Sequence, residues 1–237
     1  MQTPLLTGLI ALVASSSLFG AEFYQVKGGG QPNHLVPSPA PGEYESRIAE
    51  HLFVTDGRFG RMVVRPSFEN EVCLSVHADI PEASISKHDG WWMVPDDEKT
   101  YVMTVTTASK SIWGSISQNG EKTNATVIHI SRTDKKISLE LAVAIQRVWA
   151  KALHLTRYPS VASNGYDGTT YQFSVWVRGL GELQGETWSP QHGLPRGLVT
   201  IGTDLIVFVR QDANGKGLTE QSLIKNLEKL ESKIPKA

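Results

Sequence analysis

The chain predicts an α+β domain: an antiparallel sheet packed on one side by two or three helices. Three observations carry that expectation. Short β-branched or aromatic runs, bounded by turn residues, fill the first half of the 237 residues. Near residue 138 the apolar period changes from two to 3.6. A glycine-turned hairpin then precedes a helical C-terminus.

In chain order, "MQTPLLTGLIALVASSSLFGAEF" has an apolar core from Leu5 to Ala14, followed by serines and small residues. That layout predicts a secretory signal over residues 1–21, and with it a secreted or periplasmic protein. The core is interrupted at Thr7 and Gly8 and is too short to cross about 30 Å of hydrocarbon, so no integral span is expected after cleavage. Residues 22–43, with Gly28, Gly29, Gly30, Pro32, Pro37, Pro39 and Pro41, predict a flexible tether. Residues 44–237 form a single domain in this reading.

The runs "GRMVVRP", "EVCLSVHA", "TYVMTVTTA", "SIWGSIS" and "NATVIHISR" predict strands. In the third, Tyr101, Met103, Val105 and Thr107 share one side, as in a sheet covered on one face. "SLELAVAIQRVWAKALHL" places Leu141, Ile145, Val148, Trp149 and Ala152 on one helical stripe, with Ser138 as N-cap. Trp149 should pack and His154 face solvent. Thr169 to Arg178 predicts a strand burying Tyr171, Phe173, Val175 and Val177, with "RGLGE" as turn and "LQGETWS" returning. "SPQHGLPRG" reads as an irregular loop. "LVTIGTDLIVFV" fits strand and helix, with a lean to helix, and "TEQSLIKNLEKLESKI" is helical with Thr219 as cap.

Composition excludes more than it assigns. A net charge of −1, with Lys and Arg scattered, gives no electrostatic reason to expect nucleic acid or an anionic membrane as partner. The single cysteine, Cys73, permits no intrachain disulfide and no cysteine-based zinc site, and its apolar setting predicts a buried thiol. No cofactor is implied, and a monomer is expected. "GSISQNGEKT" cannot place Lys122 and Thr123 where a phosphate loop needs them. "GLGELQG" is one residue too long for a dinucleotide turn and joins two strands. There is no nucleophile elbow and no H-E-x-x-H.

The segments "LTRYP", "YDGTTYQFS" and "GETWSP" occur in that order. Their succession, across roughly residues 138–210, resembles a pattern in uncharacterised exported bacterial proteins. The resemblance implies an envelope location and no activity or catalytic residue.

Two sets of residues remain as candidate sites. Trp176 and Arg178 on one strand, with Glu186 and Trp188 on its neighbour, would bring indole, guanidinium and carboxylate onto nearby positions. Adjacent Trp91 and Trp92 must face opposite ways in a strand, which adds Trp92 to the candidate surface. Such a face suits a protein, peptide or glycan partner in the cell envelope. The competing reading has these tryptophans filling a second layer and Arg178 paired with Glu186. The alternative function is a divalent-metal hydrolase built on His77, Asp79, His88 and Asp89, a nitrogen and oxygen set that suits zinc or a similar ion.

Overall fold

A computed structural model describes residues 31–88, 93–116, 127–159, 167–211 and 217–235. The signal segment, Asp89, Trp91 and Trp92 lie outside the described residues. The elements are α1 (Glu43–Leu52), β1 (Gly60–Pro66), β2 (Val72–Asp79), α2 (Glu82–Lys87), β3 (Thr100–Ala108), β4 (Ile130–Ile137), α3 (Leu139–His154), β5 (Thr169–Val177), β6 (Gly181–Trp188), α4 (Gly193–Arg210) and α5 (Glu220–Glu231). The strands form one sheet in the order β4-β3-β2-β1-β5-β6, and every neighbouring pair is antiparallel. The fold is therefore α+β, as the alternation of periods predicts.

Strand alternation gives the sheet two unlike faces. Met62, Leu74, Val76, Met103, Val105, Phe173 and Val175 meet α3, α4 and α5 in the main core. Trp149 and Phe173 touch edge to face there, with centroids 5.5 Å apart. Burying each such side chain contributes roughly 1.5–3 kcal/mol. Ser138 caps α3 by accepting from the Leu141 N–H, Trp149 is buried and His154 is exposed. Thr219 caps α5 in the same way, through Ser222 N.

The other face is covered over its middle by α1, which the strand-rich reading of the first half of the chain did not anticipate. Ile48 and Leu52 pack on Val63, Cys73, Ala108 and Ile112, and Thr106 Oγ1 donates to the Leu52 carbonyl at 2.9 Å. The sheet is thus not bare on its second side. Val102, Thr104 and Thr106 are buried along with Tyr101, Met103 and Val105. "SIWGSIS" carries a single 3-10 turn at Trp113–Ser115 instead of a strand. The edge strand β4 runs on through "TDKKI", later than the sequence run suggests.

Two further corrections concern loops. The "SPQHGLPRG" segment is not all loop, because α4 begins at Gly193 and takes Pro195 into its first turn, where no intrahelical N–H is lost. Residues 31–42, the second half of the expected tether, lie on the domain. Leu35 is fully buried, and Val36 exchanges two backbone hydrogen bonds with Glu186 of β6, at 2.9 and 2.7 Å. Asn33 Oδ1 accepts from Leu194 N at 2.8 Å, so a side chain of this segment caps α4.

Candidate functional site

The face of the sheet opposite the three-helix layer is unusually polar for a covered surface. Asp134, Thr104, Ser75, Arg61, Ser174 and Gln184 occupy one register line across all six strands. Two arginines four residues apart on β1, Arg61 and Arg65, point the same way because strand side chains repeat every two residues. Buried guanidinium groups must find partners.

Arg65 finds two carboxylates. Its Nη1 donates to Glu45 of α1 at 3.0 Å and its Nη2 to Glu186 of β6 at 2.7 Å, with the side chain 9% exposed. Burial pushes the Glu186 carboxyl above its usual range, and Arg65 pulls it the other way. The guanidinium is a strut between helix and hairpin.

Beside that strut lies a groove of about 680 Å³, lined by Tyr44, Arg65, Phe68, Trp113, Asp167 and Glu186 among others. Its aromatic wall is held by a buried carboxylate. Glu71 accepts from the Tyr44 hydroxyl at 2.8 Å, from Ile112 N at 2.7 Å and from Trp113 N at 3.0 Å. That fixes the 3-10 turn against α1 and sets Trp113 edge-on to Tyr44, centroids 5.1 Å apart at 77°. Trp113 is nonetheless 51% exposed and Phe68, after β1, 81%. Exposed rings beside an ordered Arg–Glu pair are a recognition surface in physical terms: large contact area at low entropy loss, with fixed polar groups for orientation.

The sequence-predicted binding residues distribute unevenly. Glu186 lines the groove. Trp176 stands opposite Glu182, and Trp188 opposite Thr170, so the two indoles occupy opposite ends of the hairpin, about 20 Å apart along the strands. The register therefore does not gather them onto nearby positions. Trp176 is half-buried, with Arg58 6.0 Å from its ring centroid, and its carbonyl accepts from Gln146 Nε2 at 3.3 Å. Trp188 is seated on Gly168: a Cβ there would stand 2.6 Å from the indole Nε1, so only glycine admits the ring. Arg178 is exposed in the turn after β5, while Glu186 pairs with Arg65 instead of Arg178.

The metal candidates separate into two places. His77 Nε2 meets Asp79 Oδ1 at 3.0 Å on β2, whereas His88 Nε2 meets Glu98 Oε1 at 3.1 Å beside Lys87. Among the described residues, no three His, Cys, Asp or Glu side chains gather as a metal set. Cys73 is buried, and burial raises its thiol pKa.

The groove residues Tyr44, Phe68 and Trp113 were not among the sequence candidates. They come from three separate segments that Glu71 joins. Arg65 had a signal, the paired arginines of "GRMVVRP" at i and i+4 on one strand face.

No family model, curated protein or solved structure matches this chain.

Proposed function

We propose that the protein is an exported binding module that holds a neutral glycan in the groove between α1, the end of β1 and the β5–β6 hairpin. The observation that carries this reading is the exposure of Phe68 and Trp113 around the part-buried Arg65–Glu186 pair. Rings of this kind offer flat apolar faces to the C–H faces of a sugar, and the carboxylates accept from its hydroxyls. Among the described residues, Arg65 is the groove's one arginine, already held between Glu45 and Glu186, and Asp167 adds another carboxylate. That excess of negative charge disfavours acidic polymers and suits uncharged hydroxyl donors. Export is supported by the N-terminal apolar segment.

The test is calorimetric titration of the protein with neutral and acidic oligosaccharides, on the wild type and on Phe68→Ala and Trp113→Ala. Phe68 is exposed, so Phe68→Ala should melt like the wild type, while Trp113→Ala, which loses the edge contact with Tyr44, should melt somewhat lower but stay folded. Neutral oligosaccharides should bind, with each variant weakened about tenfold or more. If acidic sugars bind better, or if the variants bind as the wild type does, the reading fails. If no oligosaccharide of either class binds, the glycan assignment falls.

A further inference from the structure

On the other side of the Arg65 strut is a second, smaller cavity of about 280 Å³, between α1 and the hairpin. Gln172, Ser174, Glu182 and Gln184 form one side, Arg61 lies in it, and Phe53 and Ile48 line the side toward α1. Its central group is Arg61, 8% exposed, whose guanidinium carbon lies 3.9 Å from the centroid of the Phe53 ring. This arginine is under-partnered. Nη2 donates to the Thr55 carbonyl at 2.9 Å, and Nε, like that of Arg65, is buried without a partner. Nη1 stands 3.7 Å from Glu182 Oε1, too far to hydrogen-bond.

An arginine this deeply buried ordinarily hydrogen-bonds a carboxylate, as Arg65 does with Glu45 and with Glu186. Arg61 instead lines a polar cavity with Glu182, 44% exposed on the edge strand, beside it at ion-pair but not hydrogen-bond distance. Glu45 also lines the cavity, but its oxygens are taken by Arg65 and by Gly42 N; that leaves one cation and one anion, not hydrogen-bonded to each other, which match a ligand that carries both charges. The volume sits at the small end of ligand cavities, which run from about 300 to 1,000 Å³, so the ligand is small. Gln172, Ser174 and Gln184 supply donors and acceptors for a polar substituent.

We infer that this cavity binds a small zwitterion of the α-amino-acid type, its carboxylate on Arg61 and its ammonium on Glu182. The site is separate from the glycan groove and stands or falls independently of it.

The test uses the full folded protein and titrates glycine, serine and glutamine, each against its N-acetyl and its carboxamide form. Free amino acids should bind with millimolar or tighter affinity, and both blocked forms should bind about tenfold more weakly. Arg61→Lys should weaken the free amino acids by about tenfold, because an ammonium cannot reproduce the guanidinium fork. Glu182→Gln, at a half-exposed position, should keep the fold and abolish the preference for the free amine over the N-acetyl form. The inference is overturned if no free amino acid binds at about 10 mM, if blocked forms bind equally well, or if Arg61→Lys binds as the wild type does. Should Arg61→Lys fail to fold, an unchanged amine preference in Glu182→Gln overturns it alone.

Discussion

Tyr44 and Glu71, 27 residues apart in the chain, share a 2.8 Å hydrogen bond that fastens the first helix to the turn before β2. Glu71 is fully buried and also takes the backbone N–H groups of Ile112 and Trp113. One carboxylate thus closes three distant segments onto each other, and the aromatic wall of the groove depends on it.

Glu71→Ala should therefore destabilise the protein by about 3 kcal/mol, since it orphans one buried and one part-buried backbone donor and a phenol. Glu71→Gln keeps one acceptor and should lose about 1–2 kcal/mol, and Tyr44→Phe about 1 kcal/mol. Urea denaturation measures all three. An alanine variant as stable as the wild type would remove the clasp from the account.

Alkaline pH should weaken the fold through two phenols. Burial, then the Glu71 hydrogen bond, pushes the Tyr44 hydroxyl far above its ordinary value. Burial and the Asp96 hydrogen bond do the same to Tyr101. Each folded-state pKa lies above the unfolded one, near 10. Their contribution is therefore complete below about pH 10 and declines above it, as the unfolded chain releases protons the folded chain keeps. A Tyr44→Phe, Tyr101→Phe double variant should lose stability less steeply than the wild type between pH 9.5 and 11.5. Parallel curves would refute this.

The acid side has a different origin. Hydrogen bonds from Lys87, Ser84 and His88 bring the Glu98 carboxyl down to about 2. A depressed carboxylate contributes stability above its unfolded pKa, about 4.3, and that contribution disappears as pH falls through the folded value. Glu98→Gln should flatten the loss of stability between about pH 4.5 and pH 2. Melting temperature across that range is the measurement, and an unchanged slope counts against the pairing.

Helix α4 approaches β1 through a glycine. A Cβ at Gly202 would stand 2.3 Å from Met62 Sδ, and Met62 is fully buried. Replacing glycine by alanine inside a helix normally stabilises by about 1 kcal/mol. Here overpacking should outweigh that gain, so Gly202→Ala should lose about 1–3 kcal/mol. A stabilised variant would mean that the methionine has room to move aside.

What the sequence made legible follows from how local each signal is. Helix α3 announces itself through Ser138 and a stripe from Leu141 to Ala152, because cap and periodicity are both short-range. For α4, β-branched residues compete with a helical stripe, and burial of Leu198, Ile201, Leu205 and Phe208 decides for helix. Helix α1 was hidden because "EYESRIAEHL" shows only Ile48 and Leu52 as buried anchors. The hairpin strands were readable, but their register was not. The turn at residues 178–180 sets Trp176 against Glu182, and that one fact separates the two indoles. The groove is less local still, since its rings meet only after Glu71 has drawn α1, β2 and the turn at Trp113 together.

The two backbone hydrogen bonds between Val36 and Glu186 have a consequence for where the chain may be trimmed. β6 is the outermost strand of its side of the sheet, and Leu35 lies so close that a Cβ on Gly185 would stand 3.2 Å from its own. A protein cut just before Tyr44 would lose that selvage and bare the amide and carbonyl of Glu186 on the strand's outer margin. Such a margin recruits strands from neighbouring molecules. The proline-rich stretch before the first helix therefore acts as a guard against self-adhesion.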